Sequence, residues 1–457
     1  MNNKNNNIGL KIIPSTPTGG GLSFRINAIK ELLNGTKLEP IIDFDNTETE
    51  AFVDTSKPCD IRNIVNKKVL DFKKIITQLG GRLMYIKSGT TGHTFKGIML
   101  ENSTNKMEYA VKVVPYPKKK NYGNLYDSKR PENAELVMLK MLSYFVMNQQ
   151  TPHIILPIGT FNTNISTFVM LTNQKNRVVN NKKYDMFVKK YKKGEYYPEV
   201  SILINEWANG GDLLEHVRKN YTTMKIKEWR VIFFQLIITL AFIQSKYPGF
   251  RHNDLKANNI LIQNVTGGTQ KGNSKHNRFI YIINGIQYII PNIGIQIKLW
   301  DFDFACIPGI VNNSKVEEEW TSKINVSPEK NRYYDLHYFF NTLISKGFLP
   351  QFLEAPEVPK KVKEFVNRVV PIEFREGKSV NERGRILIND EYLIPEELLK
   401  TDSFFSRYRN GRNKTGGRRI PRNIPNNDIK TSNKISSKPL KKMSRKTSRK
   451  TSRKSNK

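Results

Sequence analysis

Apolar and polar residues alternate over residues 82–87 and again over 95–100, and a glycine turn separates the two runs, so the pattern predicts a strand pair. Residues 109–114 read as a further short strand. Over 131–145 the apolar positions fall at helical spacing, and 201–206 is continuous enough for a buried strand. Residues 225–243 are apolar almost all round, the pattern of a helix at the centre of a lobe. The run 279–283, Asn284-Gly285, 286–290 predicts a hairpin, because both turn residues tolerate positive φ. Past residue 335 helical patterns dominate, as at 335–344 and 362–370. At both ends the periodicity lapses. Residues 1–65, rich in Asn, Gly, Thr and Pro, are expected to form a largely disordered extension with a short helix near 27–33. Residues 406–457 form a polar, basic tail ending in Ser-Arg-Lys-Thr repeats, also expected to be disordered.

What remains is one α+β body over residues 66–405, with long inserts at 161–200 and 263–298. A chain of 457 residues with 38% hydrophobic residues, including 24 Phe and 19 Tyr, can bury a sizeable core. Cys59 and Cys306 are the only cysteines, which excludes a disulfide framework or a Cys-based metal cluster and suits a reducing compartment. The start carries no signal-peptide pattern, and the longest nearly apolar run, 231–243, is too short to span a bilayer. A soluble protein is expected. Net charge is +34, and residues 406–457 contribute 19 Lys and Arg against one Asp, or +18 of it. That field attracts nucleic acid, anionic surfaces or acidic proteins without choosing among them. The tail has no interleaved aromatics for base stacking, so any nucleic-acid contact should be blind to sequence.

The chemistry lies in six places along the body. Ser88-Gly89-Thr90-Thr91-Gly92 joins two strands, where glycines let backbone N–H groups approach phosphate oxygens. Lys112 follows Tyr109-Ala110-Val111 on a strand, and a Lys there needs a carboxylate to hold it. Glu135, followed by Leu136, Leu139 and Leu142 at core spacing, is the better candidate, with Glu132 one turn earlier as the runner-up. Asn205-Glu206-Trp207-Ala208-Asn209-Gly210-Gly211-Asp212 ends a strand and opens a helix. Residues 252–259 read His-Asn-Asp-Leu-Lys-Ala-Asn-Asn, and a short strand ends in Asp301-Phe302-Asp303. Phosphoryl transfer needs a carboxylate at the acceptor hydroxyl and two oxygen ligands on the metals, which Asp254, Asn259 and Asp301 can supply.

These segments, in this order, resemble the eukaryotic-type protein kinases. His252, Asp254, Leu255, Lys256 and Asn259 match H-R-D-L-K-x-x-N, and Lys at that position points to serine/threonine kinases. The resemblance implies a two-lobed fold, with a β-rich N-lobe over about 66–205 and a mainly helical C-lobe over about 206–405. It implies ATP and Mg²⁺, with Gly89, Gly92 and Lys112 at the phosphates. Glu206 and Ala208 would offer backbone groups to adenine, and Asp212 would reach the ribose unless it simply caps the helix. Asp254 would be the base, Lys256 would neutralise the transferring group, and Asn259 and Asp301 would hold metal. Asp335 resembles the buried Asp that ties down the catalytic loop.

The departures are Lys87 for the first loop glycine, Thr94 for Val, Asn253 for Arg and Asp303 for Gly. The last should fix one conformation around Asp301, and the third argues against switching by an activation-loop phosphate. With the Asn/Lys/Ile-heavy composition, the chain looks like the divergent serine/threonine kinases of large DNA viruses. That likeness implies a protein of infected-cell cytoplasm, packaged in the virion. The competing reading is a non-catalytic kinase-like scaffold that binds nucleotide or partner proteins.

Overall fold

The computed structural model describes residues 9–12, 21–45, 60–100, 106–171, 181–265 and 278–410. The basic tail from residue 411 onward, with the nucleic-acid contact expected of it, lies outside the described residues, as does Cys59. The strands are β1 (Gly9–Ile12), β2 (Lys68–Val69), β3 (Arg82–Ser88), β4 (His93–Leu100), β5 (Lys106–Pro117), β6 (Pro157–Asn164), β7 (Tyr196–Glu206), β8 (Ile260–Asn264), β9 (Arg278–Ile283), β10 (Ile286–Pro291), β11 (Ile295–Leu299) and β12 (Arg409–Asn410). Six of them form a sheet in the order β2-β6-β7-β5-β4-β3. Its central strands β5 and β7 pair antiparallel and bury Val111, Val113, Ile202 and Ile204. The helix Pro131–Met147 packs in the same core, with Leu136, Leu139, Leu142 and Phe145 buried. Pro131 occupies its first turn, where a missing N–H is harmless.

The other half is helical around Ile226–Lys246, whose residues from Trp229 to Gln244 are all buried. The helices Tyr334–Leu343 and Lys360–Val369 belong to the same core, where the Phe233, Phe340 and Phe365 rings meet. The short pair β8–β11 brings residues 254–259 and 301–303 side by side, because Ile260 opposite Leu299 places the two loops at one end of that ladder. The fold is therefore mixed α+β, compatible with the kinase-like architecture.

One region differs from the sequence expectation. Residues 21–45 are folded: the helix is Leu22–Leu33, five residues longer at its start than the pattern suggested, and Ile29, Leu32, Leu38, Ile41 and Ile42 join the core. Its apolar face is short and set among Asn and Gly, so composition masked it. The inserts also carry structure. The first holds the helix Lys182–Lys192, capped by the Asn181 side chain, and the second holds β9 and β10, which pair with β1 and β12 as a separate four-stranded sheet. Asn284 and Gly285 take φ of 47° and 76° at the hairpin turn, as their identities required.

Candidate active site

Lys112 sits on β5 opposite Thr94 of β4 and Leu203 of β7, so its place is fixed on both sides. Its Nζ donates to Glu135 Oε1 at 2.6 Å and Oε2 at 2.9 Å, and to Asp301 Oδ1 at 2.7 Å. All three groups are largely removed from solvent. Burial disfavours the ammonium, but Asp301 and Glu135 outweigh that and raise the Lys112 pKa. The two carboxylates respond in opposite directions. Burial pushes Glu135 up to about 7 against the pull of Lys112, whereas at Asp301 the Lys112 charge overcomes burial and lowers the carboxyl to about 2. Glu132 instead pairs with Arg130, which settles the choice between the two glutamates as Lys112 partners.

Asp254 is held from several sides. Asn259 Nδ2 donates to its Oδ2 at 3.0 Å, Lys256 Nζ lies 2.8 Å from the same oxygen, and Arg385 Nη2 donates to Oδ1 at 2.6 Å. Arg385 also donates to the Asn253 carbonyl and to the Tyr334 hydroxyl, and its guanidinium lies 4.0 Å from the Tyr338 ring centroid. From below, the Asp335 oxygens accept the N–H groups of His252 at 2.7 Å and Asn253 at 2.9 Å. Asn253 and Asp301 both adopt left-handed backbone, φ 63° and 65°, a region that Asn and Asp enter more readily than most residues. Asp303 takes no positive φ; it pairs with Lys315 and fixes the segment after Asp301. The glycine freedom lost there is not used.

Gly89, Gly92, Lys112, Asp254, Lys256, Asn259 and Asp301 all line one cavity of about 660 Å³. Gly92 is required by close approach, since a Cβ there would meet the Val113 carbonyl oxygen at 2.5 Å. Glu135 stands behind Lys112 and lies outside the lining. Glu206, Ala208 and Asp212 are not brought to this cavity either. The Glu206 carboxylate accepts from Arg25 of the Leu22–Leu33 helix and from the Leu156 N–H. Asp212 caps the Leu213–Asn220 helix, accepting the Glu215 N–H at 2.9 Å. Among the described residues no group of three or more His, Cys, Asp or Glu could hold a metal. A magnesium site would instead draw on the hard oxygens of Asn259 and Asp301. Asn259 spends its amide N–H on Asp254, which leaves its Oδ1 for another partner, and Asp301 has an oxygen beyond the one facing Lys112.

Residues 93–389 match the poxvirus serine/threonine protein kinase family. The chain belongs to that family. It is 49% identical over 393 residues to a protein of Acanthamoeba polyphaga mimivirus named "Putative serine/threonine-protein kinase", covering 84% of this chain and 80% of that one. A second mimivirus protein of the same description is 25% identical over 349 residues, 66% of this chain and 83% of the other. Serine/threonine-protein kinase 2 of fowlpox virus is 27% identical over 227 residues, 48% of this chain and 44% of its own length. No helix among the described residues is long and apolar enough to cross a membrane.

In this poxvirus-type kinase the sequence reading missed Arg385, Arg251 and Lys315. Arg251 donates to Ser327 Oγ at 3.0 Å and to the Glu329 carbonyl at 3.1 Å, and it lies 3.7 Å from the Tyr334 ring centroid. A single usable signal was present: an aromatic-rich helix at Tyr334–Leu343 beside buried arginines invites a stacked guanidinium.

Proposed function

We propose that the chain transfers the γ-phosphoryl group of ATP to serine or threonine hydroxyls of proteins, with Mg²⁺. The observation that carries this reading is the convergence of Asp254, Asn259, Asp301 and Lys112 on one cavity from three separate segments, with Glu135 holding Lys112 from behind. Magnesium held by Asn259 and Asp301 would neutralise phosphate charge. Lys112, kept cationic and fixed by Glu135, is placed to bind the α and β phosphate oxygens. Asp254 orients the acceptor hydroxyl and takes its proton as the oxygen–phosphorus bond forms and the bond to the ADP oxygen breaks. Lys256, beside Asp254, offsets charge on the group in transit. Glu206, Ala208 and Asp212 stand outside this cavity and are given no part in the proposed transfer; Asp212 caps its helix.

The test is Asp301→Asn with purified protein and radiolabelled ATP. Transfer to protein acceptors should vanish while the urea unfolding curve keeps its slope. Undiminished transfer would sink the assignment and favour a scaffold.

A further inference from the structure

The cavity carries more positive charge than its catalytic roles use. Seven Lys and Arg side chains line it against three Asp. Four of these cations are matched: Lys112 with Glu135 and Asp301, Lys256 and Arg385 with Asp254, and Lys315 with Asp303. Lys87, Lys183 and Arg383 remain. All three are exposed, and among the described residues none has a carboxylate within ion-pairing distance.

Each is presented by a built element. Lys87 is the penultimate residue of β3, beside the chain Asn181 Nδ2–Tyr85 Oη–Ser88 Oγ–His93 Nδ1, whose links are 2.9, 2.7 and 2.8 Å. Lys183 opens the Lys182–Lys192 helix, which docks on the glycine turn through Tyr184 and Phe187 against the His93 ring. Arg383 lies in a turn whose Asn381 Oδ1 accepts the N–H groups of both Arg383 and Arg385. That turn sends Arg385 inward to Asp254 Oδ1 and leaves Arg383 exposed at the rim of the same cavity.

Resting on the kinase reading above, we infer that the preferred acceptor is a serine or threonine flanked by anionic groups, either carboxylates or phosphates already installed. Like-signed charges around a walled cleft concentrate the field, attract anionic segments and repel basic ones.

The experiment uses the full chain and serine peptides with neutral, Asp/Glu, phosphoserine or Lys/Arg flanks, the last including residues 444–451 of this chain. The acidic or phosphorylated peptides should exceed the neutral one in kcat/KM by about tenfold, with the basic peptides slowest and the advantage shrinking as salt rises. Whichever anionic series is faster identifies the source. Arg383→Glu and Lys183→Glu should raise the KM for anionic peptides and leave the KM for ATP unchanged. Equal or faster transfer to basic peptides overturns the inference, as does an effect of Arg383→Glu confined to the KM for ATP. If no peptide is phosphorylated, the kinase reading fails by itself. Fluorescence anisotropy of the same labelled peptides then still decides: tighter binding of the anionic series supports the inference, and equal binding overturns it.

Discussion

If Asp254 takes a proton from a hydroxyl, as proposed, its carboxylate has to be held at one rotation, and the residue that holds it lies 131 positions away. Arg385, 5% exposed, bridges Asp254 Oδ1, the Asn253 carbonyl and the Tyr334 hydroxyl. Burial works against its charge, but Tyr334, Tyr338 and Asp254 together raise its pKa, so it stays cationic. It touches the carboxylate proposed as the base, and we propose it as a positioning residue. Arg385→Gln should lower kcat about a hundredfold, the scale of a small misplacement of a reacting group. The KM for ATP and the thermal shift with Mg-ATP should stay as in the wild type, and Arg385→Lys should recover part of the rate. A loss confined to ATP binding would refute this role. Legibility followed distance along the chain. Asp254 and Asn259 fall within one short loop, so their spacing could be read directly. The departures at Asn253 and Asp303 were visible too, but what compensates them was not. The left-handed backbone at Asn253 and the Lys315 partner of Asp303 exist only once the chain is folded.

The strands and long helices were legible because their faces differ, with alternation along β3 and β4 and continuous burial along Ile226–Lys246. The Leu22–Leu33 helix was only half legible, and its role not at all. Arg25 reaches from it to Glu206 at the end of β7 and to the carbonyls of Pro152 and Ile154. Burial would raise the Glu206 carboxyl, but Arg25 and Lys298 outweigh it and hold it below the usual range. Arg25→Ala strands that buried anion and should reduce the unfolding free energy by about 3 kcal/mol. The pair Arg25→Met with Glu206→Leu should lose less than Arg25→Ala alone, both read from urea melts. The segment after Asp303 is also tied to both halves of the molecule without a phosphate. Lys315 pairs with Asp303, Glu318 with Lys119 and Tyr122, and Ser327 with Arg251. Phosphatase treatment should therefore leave the transfer rate unchanged; a collapse of the rate would show that a phosphate completes the segment.

Across the whole molecule, the two halves meet where His153 is buried. Its Nδ1 donates to the Ile297 carbonyl at 3.0 Å and its Nε2 accepts from the Tyr281 hydroxyl at 2.8 Å, which fixes the neutral ring. Burial, and then Lys298, hold its pKa well below the usual value. In the unfolded chain the ring titrates normally, so below about pH 6.5 only the unfolded state gains the proton, and stability falls as pH drops. Between pH 7 and pH 5 that amounts to about 2 kcal/mol for this residue. Glu135, raised to about 7, works in the opposite sense by gaining its proton in the folded state. The total slope therefore does not report on His153, but a comparison does: His153→Gln should lose about 2 kcal/mol less than the wild type over that interval in urea melts. The Asp303–Lys315 pair has a pharmacological consequence. Phe302 is fully buried against His252, and the residues after it are fastened down by that ion pair. Inhibitors that bind by displacing this phenylalanine must break the pair first, so they should be poor ligands here, while compounds shaped to the standing cavity meet no such barrier.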